Sequence, residues 1–198
     1  MRGRMALVKA GIKSELREIL LRDKPGEMLA ISEKGTVPVL LLTDGAVIDE
    51  SLELMHWALK QSDPENWLNA NEDKTRSLIN HNDKDFKDKL DRYKYFSRYP
   101  EHPQEYYRQQ AEKFISELEQ CLINNNGMGL IEERVTLADI AIFPFIRQFS
   151  RVDYEWFEKT PYARLQHWLG NLEKSALFLS VMNKYELWTK DSKIEYLG

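Results

Sequence analysis

Cysteine is nearly absent. Cys121 is the only one among 198 residues, which excludes an internal disulfide and any cysteine-rich zinc cage. A reducing cytoplasm is the expected setting. Long apolar runs are missing too: none approaches the roughly 20 residues that cross a bilayer, so no membrane partner is expected. The opening Met1-Arg2-Gly3-Arg4 has the basic start of a secretion signal, but Lys9, Lys13 and Glu15 interrupt any apolar core behind it. Charge of one sign is not in excess. Lys and Arg total 28 against 32 Asp and Glu, and no basic stripe is available to track phosphates, so nucleic acid is not an expected partner. His56, His81, His102 and His167 are scattered without metal-ligand spacing, and the run from Asp83 to Asp88 lacks the glycine and terminal acid of a calcium loop. No metal is expected. Internal repeats and low-complexity tracts are absent.

The composition that is present is that of an ordinary globular chain, 42% hydrophobic and 30% charged, long enough for one or two domains with a proper core and no staples. Ala6, Leu7 and Ala10 sit at helical spacing, with Gly11 placed as a C-cap. Leu16 and Ile19 lie in a short extended stretch, followed by the charged turn Leu21-Arg22-Asp23-Lys24. Pro25 suits the first turn of a helix through Met28, Leu29 and Ile31. Val39 to Leu42 predicts a buried strand, Asp44-Gly45 a hairpin turn, and Val47-Ile48 the partner strand. A helix carrying Leu52, Leu54, Met55, Trp57 and Leu59 ends near Asp63-Pro64.

Beyond a polar linker at 62–71 the patterns are almost entirely helical. After Pro103, the residues Ala111, Phe114, Ile115, Leu118, Cys121 and Leu122 form one apolar stripe, stopped by Asn124-Asn125-Asn126-Gly127. On that stripe Cys121 reads as packing, since a reactive thiol needs a polar, accessible setting. Thr136 to Phe149 is apolar nearly all round and predicts a helix buried on every side. Two further helical patterns cover Tyr162–Leu172 and Ala176–Met182. Asp83–Lys87, Asp85–Lys89 and Asp88–Arg92 are spaced as ion pairs on a helix face.

A small mixed domain followed by a linker and an all-helical domain resembles the glutathione transferase superfamily, and local sequences strengthen the likeness. Gly35-Thr36-Val37-Pro38-Val39-Leu40 resembles the family's Val-Pro turn, and Val47-Ile48-Asp49-Glu50-Ser51 its acid-Ser pair at a helix start. Thr136-Leu137-Ala138-Asp139-Ile140-Ala141 looks like the family's buried capping box. Ile142-Phe143-Pro144-Phe145 and Arg22-Asp23-Lys24-Pro25 are similar to the omega-like branch.

The resemblance implies an α+β thioredoxin-like domain over 1–61, lacking its first strand, and an all-α domain over 72–198. It implies glutathione as co-substrate, held by Thr36, Val37, a cis Pro38, Glu50 and Ser51, and a homodimer. At the start of the buried Thr136–Phe149 helix, Thr136 and Asp139 are spaced as a capping box and read as structural, the threonine satisfying a backbone N–H and the acid reaching back. Tyr93 and Phe96, at helical spacing in a region that lines the family's electrophile pocket, are candidate contacts for the second substrate.

One departure bears on activity. The family's nucleophile-activating Ser, Cys or Tyr follows a central first strand, whereas Met1 to Leu7 already reads as the first helix, so no catalytic residue is assigned within the sequence. Truncation is the favoured account, because the glutathione motifs are intact; the alternative is a degenerate homologue with a repaired sheet. A cysteine before Met1 would favour reduction of glutathione mixed disulfides, a serine or tyrosine conjugation. The competing functional expectation is a non-catalytic binding or interaction protein on the same fold.

Overall fold

The computed structural model describes residues 1–197. In chain order the elements are α1 (Arg2–Lys9), β1 (Ser14–Leu16), α2 (Gly26–Ile31), β2 (Leu40–Leu41), β3 (Val47–Ile48), α3 (Ser51–Gln61), α4 (Glu72–His81), a π-helical turn (Asn82–Phe86), α5 (Lys87–Lys94), a 3-10 turn (Phe96–Arg98), α6 (Gln104–Asn124), α7 (Leu137–Ser150), α8 (Tyr154–Glu158), α9 (Ala163–Lys174), α10 (Ala176–Val181) and β4 (Glu195–Leu197). They form two compact units, residues 1–65 together with 176 onwards, and residues 66–175.

In the first unit, α1 packs on α3. Met5, Ala6 and Leu7 are buried, as are Leu54, Met55, Ala58 and Leu59 opposite. Each such Leu or Met contributes roughly 1.5–3 kcal/mol through burial. The helices approach closely at Gly3, where a Cβ would lie 3.0 Å from a Leu54 methyl. α1 ends as its sequence predicts: Gly11 adopts φ +69°, and the Gly11 and Ile12 N–H groups donate to the carbonyls of Val8 and Leu7.

The strands depart from expectation in two ways. First, Val39 to Leu42 is not a buried strand. β2 and β3 pair antiparallel, Leu40 with Ile48 and Leu41 with Val47, through a turn in which Gly45 has φ +89°. None of these apolar residues is buried, and Leu41 is 55% exposed. An apolar run becomes core only when layers flank it, and among the described residues this ladder of two residue pairs joins no other strand.

Second, the tail is not helical to its end. β1 stops at Leu16, short of Ile19, and pairs antiparallel with β4, setting Ser14 opposite Leu197 and Leu16 opposite Glu195. Leu197 is buried. The Trp188 N–H donates to the Glu18 carbonyl, Lys13 lies 4.0 Å over the Tyr196 ring, and Arg17 lies 4.7 Å over Trp188. The segment from Ala176 onward thus packs with the first unit, not with the all-helical region to which its sequence position assigned it. A three-residue strand has too few alternations to announce itself without its partner.

The second unit is helical as predicted. α4 begins at Asn71, whose side chain accepts from the Lys74 N–H, and continues through the π-turn into α5. The ion pairs Asp85–Lys89 and Asp88–Arg92 form at 2.6 and 3.0 Å. On α6, Ala111, Phe114, Ile115, Leu118 and Leu122 are buried, whereas Cys121 is half-buried. Burial pushes its thiol pKa up, with Glu117 adding to the effect, so thiolate is disfavoured. Glu119 of α6 accepts the Arg164 and Leu165 N–H groups at 3.1 and 2.7 Å, holding the start of α9. The Tyr162 hydroxyl donates to Glu112 at 3.0 Å; burial and then this bond push its pKa up to about 12.

No residue of α7 is exposed. At its start Thr136 and Asp139 form the capping box, and Asp139 does more than close it. One carboxylate oxygen accepts from the Thr136 N–H and hydroxyl, both at 2.8 Å; the other accepts from the Leu130 N–H and the Trp168 indole N–H, both at 2.9 Å. Burial pushes this carboxyl's pKa up, and all four donors pull the other way. Farther along α7, Phe149 meets the rings of Phe86, Tyr93, Trp156 and Phe157 at centroid separations of 5.4–6.3 Å. Among the described residues no helix is long and apolar enough to cross a membrane.

Candidate functional site

The first unit brings the 32–38 loop against the junction of β3 with α3. Gly35 turns the loop at φ +55°, is buried, and leaves room that a Cβ would close to 3.1 Å from a Leu29 methyl. Thr36 and Val37 follow on the surface, and the Val37–Pro38 peptide bond is cis. Opposite, Glu50 is the N-cap of α3 in extended conformation and Ser51 the first helical residue. The Glu50 side chain does not cap the helix. The first-turn N–H groups therefore point outward with the positive end of the helix dipole, a setting that favours a carboxylate ligand.

Three residues that sequence reasoning did not single out as site residues tie these pieces together. The Ser32 hydroxyl, on a buried residue, donates to Asp49 at 3.0 Å. Lys34 donates to Asp49 at 3.2 Å and to Glu50 at 2.8 Å. Asp49 lay within the quoted motif; Ser32 and Lys34 flank the Gly-Thr-Val-Pro turn without any local pattern that marks them. The only signal for Lys34 was charge complementarity with acids 15 and 16 residues away, and Ser32 had none. The Ser32 hydroxyl and then Lys34 hold the Asp49 carboxyl below its ordinary value, and Glu50 and then Asp49 raise the Lys34 ammonium.

A folded-state pKa below the unfolded value gives stability that is present above the unfolded value, near pH 4, and lost as pH falls through the lowered one. Wild type should therefore melt above Asp49→Asn at pH 6, with the difference closing in melts taken toward pH 2.5. A difference that stays constant or widens on acidification would contradict this role for Asp49.

Tyr93 and Phe96 do not share a helical face. α5 ends at Lys94, Tyr95 leaves helical geometry, and Phe96 sits in the 3-10 turn. Tyr93 is 1% exposed against Phe149, while Phe96 is 42% exposed. A ligand can reach Phe96 as it stands, but Tyr93 is a packing residue. Thr136 and Asp139 are likewise buried. No group of three or more His, Cys, Asp or Glu side chains among the described residues could hold a metal ion.

Residues 1–67 match the family profile described as glutathione S-transferase, N-terminal domain, and residues 65–171 match that described as glutathione S-transferase, C-terminal domain. The chain belongs to the glutathione S-transferase family. The two profiles fall in the family's order, and the small mixed domain and helical domain are the family's two parts.

Solved structures agree on the glutathione S-transferase fold. A glutathione S-transferase from Rhodospirillum rubrum is 16% identical, with 98% of this chain and 90% of that chain covered at a TM-score of 0.73. Glutathione transferase Omega 3C from Trametes versicolor is 19% identical, covering 94% and 85% at a TM-score of 0.75. A glutathione transferase from Phanerochaete chrysosporium, solved in complex with oxidized glutathione, is 18% identical, covering 91% and 88% at 0.76. Identities this low carry the fold alone. No curated protein sequence matches this chain significantly.

Proposed function

We propose that this chain binds glutathione across the 32–38 loop and the start of α3, and presents its sulfur to an electrophile or a mixed disulfide. The observation that carries the reading is the pinning of the Val-Pro turn to the acid-Ser helix start by Ser32, Lys34 and Asp49. Val37 offers its backbone to the cysteinyl part of the tripeptide, beside Thr36 and Pro38. Ser51 and the first N–H groups of α3 receive the γ-glutamyl carboxylate, and Glu50 receives the neighbouring ammonium. Lys34 already neutralises Glu50, so the ligand's ammonium exchanges for a cation in place and the carboxylate is not left bare.

In conjugation the glutathione thiol gives up its proton to solvent water, and the thiolate forms a bond to carbon as the electrophile's leaving group departs, or as its double bond takes the electron pair and is then protonated by water. In reduction the thiolate attacks a disulfide sulfur and expels the other as thiolate. A homodimer in the cytoplasm is the assembly and setting that family membership supports.

Calorimetric titration of the full chain with reduced glutathione tests the site. Ser51→Ala and Glu50→Gln should each weaken binding about tenfold, the loss of one hydrogen bond to a charged group. Ser180→Ala, an exposed hydroxyl on α10, should bind as wild type does. Unchanged affinity in both site variants would remove the assignment.

A further inference from the structure

Asp49 and Glu50 stand side by side at the start of α3, and one cation serves both. Lys34 Nζ lies 2.8 Å from a Glu50 carboxylate oxygen and 3.2 Å from one of Asp49. The other Asp49 oxygen accepts from the Ser32 hydroxyl at 3.0 Å. The two acids are therefore held differently. Asp49 keeps Ser32, a buried residue, whatever Lys34 does. For the Glu50 carboxylate, Lys34 is the sole partner among the described residues.

Lys34 itself is well placed to stay. It sits between two buried positions, Ser32 and Gly35, so its backbone is fixed within reach of both acids. Lys24 is the other cation near this loop, its Nζ 3.7 Å from where a Gly35 Cβ would stand, and it bonds to neither acid.

A lysine ends in a primary ammonium, the same group that an α-amino acid presents. Lys34 thus occupies the carboxylate on which the glutathione reading seats the ligand's own ammonium. Charge counting gives the consequence. With Lys34 present, two carboxylates and one ammonium leave a single negative charge for a ligand to meet. Without it, two negative charges remain. Lys34 and Glu50 are 53% and 56% exposed, so solvent screens the difference to the scale of a surface ion pair.

We infer that Lys34 is a built-in competitor for the ligand's ammonium, and that it sets how strongly the site selects a γ-glutamyl group carrying its amine over one that lacks it. The inference rests on the glutathione reading and adds to it a residue outside the Val-Pro turn and the acid-Ser pair. When the ligand's ammonium reaches Glu50, Lys34 withdraws to Asp49. Two ammonium groups then share two neighbouring carboxylates. The retained cation repels the incoming one, which holds selectivity for the amine below what the two acids alone would give.

Calorimetric titration of the full chain with two tripeptides tests it: glutathione, and glutaryl-cysteinyl-glycine, which is glutathione without the α-amino group. Wild type should bind glutathione more tightly than the desamino analogue. Lys34→Met should widen that ratio by about threefold, the worth of an exposed ion pair. Lys34→Arg keeps the cation and should hold the wild-type ratio. Comparing ratios removes any change in loop order, because both ligands meet the same altered loop within each variant. An unchanged or narrower ratio in Lys34→Met would overturn the inference, while glutathione binding and its weakening in Ser51→Ala would still stand. A ratio that widens equally in Lys34→Arg would overturn it too, since the cation would not be the cause. If wild type binds neither tripeptide, the glutathione reading falls and the inference falls with it.

Discussion

Asp139→Ala is expected to lower the unfolding free energy by about 3–5 kcal/mol. The substitution removes one acceptor group and strands four buried donors: the Thr136 N–H, the Thr136 hydroxyl, the Leu130 N–H and the Trp168 indole N–H. Each stranded donor costs about 1–3 kcal/mol on its own, and partial relaxation of the loop keeps the sum below that of four independent losses. The damage reaches beyond the helix start, because the same carboxylate joins α7 to the loop at Leu130 and to α9 at Trp168. Asp139→Asn should also destabilise, since its amide nitrogen would face a donor on one side. Trp168→Phe, which deletes a single donor and keeps most of the ring, should cost less than either. Urea unfolding with unchanged m-values measures all three. A loss below about 1.5 kcal/mol for Asp139→Ala would show that the box is ornamental.

Phe149→Ala should cost a similar 3–5 kcal/mol, by a different route. The ring is 1% exposed and touches aromatic partners from the π-turn, α5 and α8. Removing it leaves a void that four flat, well-packed rings cannot close by small shifts, so both transfer and cavity costs apply. Phe149→Leu keeps much of the volume and should cost less than half as much. The comparison is informative because the helix, its cap and its hydrogen bonds are unchanged. Equal losses for Leu and Ala would point to a specific ring geometry as the source of stability, and negligible losses in both would contradict the packing.

The sequence was most legible where a local rule and a physical need coincided. Gly11 and Asp44-Gly45 end or turn elements by means of their own backbone, and the apolar stripe of α6 needs only its period to be read. Thr136 and Asp139 are three apart and reach one another in any helix. Contacts between distant positions were not legible. The link from Lys34 to Glu50 depends on the loop folding back over 16 residues, and nothing in either neighbourhood specifies it. Burial was misread for the same reason. Val39 to Leu42 looks like core by composition, yet exposure is decided by what lies on either side of a strand. Tyr93 and Phe96 were grouped by helical spacing, and the helix ended between them.

The β1–β4 pairing has a consequence for how the chain is made. The partner of a strand at residues 14–16 is the segment 195–197, so the first unit is stitched from segments on either side of the second, which is inserted within it. Residues 66–175 leave the ribosome as a contiguous piece ahead of the segment 195–197, so β1 is the first strand made and the last to find its partner. The usual order, in which the N-terminal domain folds first, is therefore reversed for the last step of this fold. A released chain cut after Ser175 holds every residue of the helical unit beside an unfinished α/β unit, and the segment 176–197 acts as the clasp.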